Sequence, residues 1–151
     1  MHFEVNLLVR ATRDKVYSAY TDFGALPKWS KQAKGVIVSK REGNTIYLEG
    51  GAGGDGRRNA GKMELFPPEK VESEGETRFT RTKSAVRFVE ATGGTKVIAS
   101  LDVQFKGRWG WFMKTPGRAE SESSAMEELI SFASYVESIP LGDLYTDRSE
   151  P

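Results

Sequence analysis

The feature that most constrains the fold of this chain is a change in hydrophobic period along its length. From about residue 35 to residue 105, apolar and polar residues alternate with a period of two, which is typical of strands that bury one face. The helical segments before and after this region carry apolar residues at helical spacing instead. This order of elements favours one antiparallel sheet combined with helices from both ends of the chain.

The N-terminal segment predicts one strand followed by two short helices. A strand is expected over residues 2–10, where alternate residues are apolar: Phe3, Val5, Leu7 and Val9. Thr12 can cap a helix that runs to about Asp22, because a threonine hydroxyl accepts a hydrogen bond from an amide of the first turn. A second short helical segment is predicted from Leu26 to Trp29.

The rest of the chain predicts six strands and a long helix. The strands are expected at residues 35–41, 45–50, 57–66, 70–77, about 81–88 and 95–105. Thr115 and Pro116 supply a cap and a first-turn proline, and an apolar stripe then predicts a helix to about Ser138. We expect a single domain over residues 1–139 and a flexible C-terminal tail over residues 140–151.

Two neighbouring strands carry charged residues on one face and small or apolar residues on the other. Three acids of one strand face three bases of the next: Glu72, Glu74, Glu76, Arg81, Lys83 and Arg87. We interpret them as a ladder of ion pairs on the solvent-exposed face. The inward face then holds Gly61, Ser73, Gly75, Thr82, Ser84 and Ala99. Because these side chains are too small to fill the space under a helix, the sequence predicts a cavity between the sheet and the last helix.

Composition excludes several kinds of chemistry. The chain has no cysteine and a single histidine, His2, so disulfides, thiolate nucleophiles and multi-histidine metal sites are not expected. Its net charge of +1 gives no basic surplus for nucleic acid. No apolar run approaches the roughly 18 residues of a membrane span, so we expect no stable membrane insertion and a cytoplasmic location. We also expect no cofactor and no metal.

A glycine-rich stretch, GGAGGDGRR at residues 50–58, contains the spacing G-x-G-x-x-G of dinucleotide sites. That motif needs a following helix whose N-terminal amides hold the pyrophosphate. The residues after it alternate as a strand does and end at Pro67 and Pro68, so no such helix is predicted. We interpret the glycines as a wide turn at the rim of the sheet, with a mobile loop near a ligand entrance as the alternative.

The chain resembles the START/polyketide-cyclase (SRPBCC) superfamily with the helix-grip fold, and is most similar to its polyketide cyclase/dehydrase branch. Four stretches carry the resemblance: ATRDKVY at residues 11–17, DFGALPKW at residues 22–29, PPEKV at residues 67–71 and GTKV at residues 94–97. The resemblance implies an α+β fold in which a curved antiparallel sheet of six to seven strands wraps round the long C-terminal helix. Two short helices follow the first strand in that fold.

The resemblance also implies a function. It indicates binding or transport of an apolar or amphipathic small molecule, such as a lipid, an isoprenoid or a polyketide-like compound, in the internal cavity. An enzyme of the polyketide cyclase or dehydratase kind is the first alternative, and a protein-interaction module of the ribosome-associated or quinone-chaperone kind is the second. We favour binding over catalysis, because the sequence offers no histidine, cysteine or pair of inward carboxylates for acid–base work.

The candidate ligand-binding residues lie on the expected inward faces and in one aromatic segment. Arg57, if it points inward, could bind a ligand carboxylate or phosphate, and the alternative is that it points to water. The segment KGRWGWFMK at residues 106–114 could be a lid over the ligand, a membrane contact or part of the packing of the last helix. The complete set of candidates is Arg57, Asn59, Ser73, Ser84, Phe88, Trp109, Phe112, Met126 and Ile130.

Overall fold

The computed structural model describes residues 1–30, 37–49, 60–76, 80–105 and 118–138. The strands in these residues are β1 (His2–Val9), β2 (Ile37–Glu42), β3 (Thr45–Glu49), β4 (Ala60–Phe66), β5 (Lys70–Glu76), β6 (Thr80–Ala91) and β7 (Gly94–Phe105). The helices are α1 (Arg13–Tyr20), a 3₁₀ helix (Phe23–Lys28) and α2 (Arg118–Ser138).

The seven strands form one antiparallel sheet in the order β1-β7-β6-β5-β4-β3-β2. The last six strands follow one another as successive neighbours, and β1 pairs with β7 from the other end of the sequence. Helix α2 packs against the concave side of this curved sheet and contacts β1. The predicted α+β helix-grip fold is therefore confirmed.

Helix α1 begins where the sequence predicts and ends earlier. The Thr12 hydroxyl accepts a hydrogen bond from the Lys15 amide at 3.3 Å, as expected of a capping residue. The helix was expected to reach about Asp22 but ends at Tyr20. Thr21, its C-cap, still donates its amide to the Tyr17 carbonyl at 3.0 Å, whereas the Asp22 amide donates to the Ala19 carbonyl, only three residues back, at 3.4 Å. The next segment is a 3₁₀ helix that starts three residues before the predicted Leu26.

The turn into β7 explains why one of the motifs needs a glycine. At Gly94 an added Cβ would stand 2.1 Å from the Val9 carbonyl oxygen, so a side chain there would collide with the backbone of β1. The neighbouring Thr95 is fully buried and its hydroxyl donates to the Ala11 carbonyl at 2.8 Å. These contacts fix β7 against the start of α1.

The core lies between the inner face of the sheet and the buried side of α2. Its fully buried large side chains come from β1, β6 and α2: Phe3, Phe88 and Phe132. Each contributes roughly 1.5–3 kcal/mol by burial. The small residues predicted to face inward do share one face, because Gly75 pairs with both Gly61 and Thr82, and Ser73 pairs with Ser84.

The outer face carries two of the three predicted charge pairs. Glu76 lies opposite Arg81 with a 2.7 Å ion pair, and Glu74 lies opposite Lys83 at 4.0 Å. The prediction of a third cross-strand ion pair, at Glu72, was wrong, because the strand register places Ala85 opposite Glu72. Glu72 instead pairs with Lys70 of its own strand at 2.9 Å.

Candidate ligand cavity

A cavity of about 530 Å³, called the inner cavity below, lies between helix α2 and the inner faces of β1, β6 and β7. Its sheet side is lined by Phe3, Ser84, Val86, Ala99, Ser100 and Leu101, and its helix side by Glu120, Ser121, Ser124, Ala125, Glu128, Leu129 and Phe132. Tyr20 and Trp29, from α1 and the end of the 3₁₀ helix, close one side. Of the six small residues that were predicted to leave this space, Ser84 and Ala99 line the inner cavity, whereas Gly61, Ser73, Gly75 and Thr82 do not.

Aromatic rings form the closed side of the inner cavity. The Tyr20 and Phe132 rings meet edge to face at 5.5 Å between centroids, and the Trp29 ring lies 4.8 Å from Phe132. Phe88 lies behind them and contacts Tyr17 and Tyr20, each at 5.5 Å. Rings packed in these geometries hold one another in place, so this wall is preformed.

A polar corner interrupts the aromatic wall. The Ser30 hydroxyl donates to Glu128 Oε1 at 2.5 Å, which joins the end of the 3₁₀ helix to the middle of α2. The indole Nε1 of Trp29 is buried and has no hydrogen-bond partner among the described residues. Burial raises the pKa of the Tyr20 hydroxyl above its ordinary value, and the negative charge of Glu128 raises it further.

The polar corner has the groups to orient a ligand. An unpaired N–H donor needs an acceptor, because a buried polar group without a partner costs about 1–3 kcal/mol. A carboxylate accepts hydrogen bonds through both of its oxygens. A ligand whose apolar body contacts the rings could therefore place one polar end at Trp29 and Glu128.

The structure places the five described candidate residues at different depths. Ser84 lines the inner cavity, and its hydroxyl forms a hydrogen bond with that of Ser73. Met126 packs partly buried against the core. Phe88 belongs to the buried core and is not among the residues that line the cavity. The ligand-binding role of all these residues stays a prediction.

Ile130 is placed differently from what the sequence indicated. Its side chain was assigned to the buried stripe of the last helix, but half of its surface is exposed. It lies on a shallow groove between α2 and the 3₁₀ helix, outside the inner cavity. Leu129, Phe132 and Val136 share one buried face of the helix, and position 130 lies about 100° round the helix from Leu129, toward the outer side.

The remaining candidates lie outside the described residues. They are Arg57, Asn59, Trp109 and Phe112, together with the glycine-rich stretch at residues 50–58 and the tail at residues 140–151. Their predicted roles stay predictions.

Sequence reasoning missed the residues of the polar corner. Glu128 was not recognised as inward, although it lies three residues after Ala125 and four before Phe132, which is the spacing of one helix face. That spacing could have identified it. Ser30 had no comparable signal, because its contact with Glu128 joins residues 98 positions apart.

The described residues show no group of three or more acidic, histidine or cysteine side chains arranged to hold a metal ion. Among the described helices, none has the length and apolar character needed to cross a membrane.

The fold and the inner cavity define a helix-grip protein with an internal pocket. The chain belongs to the family described as polyketide cyclase / dehydrase and lipid transport, which matches residues 9–122. This membership confirms the resemblance noted from the sequence. No curated protein sequence matches the chain.

Solved structures with the same fold include three informative neighbours. A Thermus thermophilus protein is 17% identical, with a TM-score of 0.77 over 91% of this chain and 98% of its own. The Zhui aromatase/cyclase of a Streptomyces species is 14% identical, with a TM-score of 0.71 over 91% and 93%. A START superfamily protein of Mycobacterium smegmatis is 18% identical, with a TM-score of 0.65 over 92% and 99%. At these identities the likeness concerns the fold.

Proposed function

We propose that this chain binds an apolar or amphipathic small molecule in the inner cavity and carries it without changing it chemically. The observation that carries the proposal is the inner cavity itself, whose volume of about 530 Å³ lies within the range of roughly 300–1,000 Å³ that is typical of ligand pockets. Lipids, isoprenoids and polyketide-like compounds are the ligand classes that such a pocket suits, and the family description includes lipid transport.

The composition of the wall supports a mostly apolar ligand. Aromatic and aliphatic side chains make up its rigid side, and burial of an apolar ligand there gains about 25 cal/mol for each Å² removed from water. Its polar side chains lie mostly along α2, at Glu120, Ser121, Ser124 and Glu128, with Ser84 and Ser100 on the sheet, which suits a ligand whose polar end faces the helix.

The test is a binding assay with a matched pair of variants. Nile red, a neutral apolar dye, serves as the fluorescent probe, and fatty alcohols, isoprenoid alcohols, sterols and aromatic polyketides compete with it. In Ala99→Phe the new ring fills part of the inner cavity, so we expect at least a tenfold loss of Nile red affinity. In Ala85→Phe the same ring stands on the outer face between Glu72 and Ser100, and affinity should stay within about twofold.

A panel that shows no binding to the wild-type protein would contradict the proposal. A ligand at 100 times its dissociation constant should stabilise the fold by about 2.7 kcal/mol, which raises the melting temperature by roughly 5–10 °C. Equal loss of Nile red affinity in Ala99→Phe and Ala85→Phe would place the binding site outside the inner cavity.

A second candidate function is a cyclase or dehydratase reaction, and the presence of Glu128 in the inner cavity favours it. The Glu128 carboxylate can take a proton from the carbon next to a ketone and then return it to the β-hydroxyl group, which leaves as water while the carbon–carbon double bond forms. The probe is a bicyclic β-hydroxy ketone whose dehydration gives an aromatic phenol with a new near-ultraviolet absorption. Turnover by the wild type that is lost in Glu128→Gln would support the enzyme, and binding without turnover would support the carrier.

A further inference from the structure

We propose that Glu128 makes the inner cavity selective for ligands with an uncharged hydroxyl end and against ligands with a carboxylate end. This inference rests on the proposed function, since it names the class of ligand that the same cavity accepts. It would separate fatty alcohols, isoprenoid alcohols and phenols from free fatty acids.

The first argument is the charge of the wall. The described residues that line the inner cavity include two acids, Glu120 and Glu128, and no lysine, arginine or histidine. No described basic residue forms an ion pair with Glu128 either. Among the described residues, an anion placed in this pocket would meet like charge without a compensating cation, and water that could screen the repulsion would be displaced by the ligand.

The second argument is the set of hydrogen bonds left open at the polar corner. Ser30 occupies one position on Glu128 Oε1, and a carboxylate offers about four positions in all. Glu128 therefore calls for a donor from the ligand. The Nε1 of Trp29, the residue next to Ser30, has no acceptor among the described residues, so a ligand that reaches it can supply one.

A hydroxyl group meets both requirements at once. It donates its proton to the Glu128 carboxylate and accepts from the Trp29 indole through its lone pairs. A ligand carboxylate could accept from Trp29 but would repel Glu128. An ammonium group could donate to Glu128 but would leave Trp29 without an acceptor.

The experiment compares ligands that differ only at the polar end. Dodecan-1-ol, dodecanoate and dodecylamine displace Nile red from the wild-type protein and from Glu128→Gln at pH 8. The readout is the ratio of the dodecanoate and dodecanol dissociation constants in each protein, so differences in water solubility between the two ligands cancel. Glutamine keeps the shape of Glu128 and can still accept from Ser30, which preserves the contact between the helices.

We expect the preference for dodecanol over dodecanoate to fall at least tenfold in Glu128→Gln, mainly through tighter binding of dodecanoate. The matched control is Glu127→Gln, which removes the same charge from the adjacent, exposed position of α2 and should change the ratio less than twofold. Trp29→Phe keeps a ring but loses the donor, and we expect it to weaken dodecanol binding at least threefold.

Each outcome decides one of the two proposals. Nile red binding with an unchanged ratio in Glu128→Gln, or with an equal change in Glu127→Gln, overturns the selectivity while the binding function stands. Tighter binding of dodecylamine than of dodecanol to the wild type also overturns the hydroxyl preference. Absence of binding by Nile red and all three ligands overturns the binding function and the selectivity with it.

Discussion

The two faces of the sheet are built from alternate residues of the same strands and differ in character. The outer face is charged, and the inner face borders the cavity. On the outer face, one row crosses all seven strands and mostly alternates in charge: His2, Asp102, Lys83, Glu74, Lys62, Tyr47 and Lys40. Lys83 forms its ion pair with Glu74 of the adjacent strand, whereas Lys62 and Lys40 form theirs within their own strands, with Glu64 and Glu42. On the inner face, Ser84, Val86 and Ala99 leave a space that residues from α1, the 3₁₀ helix and α2 enclose.

The contacts of the two faces differ in how far apart their residues lie in the sequence. The outer face depends on neighbours within a strand or on the adjacent strand, whereas the polar corner of the inner cavity depends on the Ser30–Glu128 contact across 98 positions. The outer face should therefore tolerate single changes at little cost. The inner face should respond to single changes in stability, titration and ligand choice.

The largest expected effect separates two residues of helix α2. Phe132 is fully buried against Tyr20 and Trp29, so Phe132→Ala should lower the free energy of unfolding by about 3–5 kcal/mol. Ile130, two residues away and half exposed, should lose less than about 1 kcal/mol in Ile130→Ala. Urea unfolding of both variants measures the difference. Similar losses in the two would mean that α2 does not present its faces to the sheet as described.

The second prediction concerns the titration of the inner face. Burial and the charge of Glu128 raise the pKa of Tyr20, so the folded protein holds this proton more tightly than the unfolded chain, whose tyrosines titrate near about 10. The stabilisation is complete below that pH and is lost as pH rises toward the folded-state pKa. Above pH 10 the free energy of unfolding should fall with pH, and one such proton contributes about 1.4 kcal/mol per pH unit.

The measurement is urea unfolding of the wild type and of Tyr20→Phe between pH 8 and pH 11. Burial also raises the pKa of Tyr17 and Tyr135, so both proteins should lose stability in this range. The slope should be shallower in Tyr20→Phe because one of the three protons is gone. Identical slopes would contradict the assignment of Tyr20 to a buried, acid-facing position.

Most of the fold could be predicted from the sequence because its signals are local. Alternation identified the strands, Thr12 identified the start of α1, and Gly94 and Thr95 marked a turn whose need for glycine the structure explains. The exact pairing of residues between neighbouring strands was harder to predict from the sequence. The third charge pair is absent because the register that places Glu76 opposite Arg81 and Glu74 opposite Lys83 places Ala85 opposite Glu72.

The site was less predictable for a different physical reason. Ser84 was expected to face inward, and it lines the cavity. Ile130 was misassigned because it was grouped by its apolar character, whereas the buried face of α2 follows Leu129, Phe132 and Val136 and excludes position 130. Glu128 was overlooked because a glutamate on a helix is usually a solvated residue, although its spacing from Ala125 and Phe132 places it on the cavity side of α2, unlike Glu127.

The smallest expected effect belongs to the outer face and completes the comparison. The Arg81–Glu76 pair is close at 2.7 Å, but both side chains are about half exposed, so water and salt screen the attraction. Arg81→Ala should cost only about 0.2–1 kcal/mol, and less in 1 M salt than in 0.05 M salt. A double-mutant cycle with Glu76→Ala isolates the coupling between the two residues. A coupling free energy above about 2 kcal/mol that does not change with salt would show that the charged residues of the outer face act as one rigid network. The outer face would then be as sensitive to single substitutions as the inner face, which contradicts the comparison.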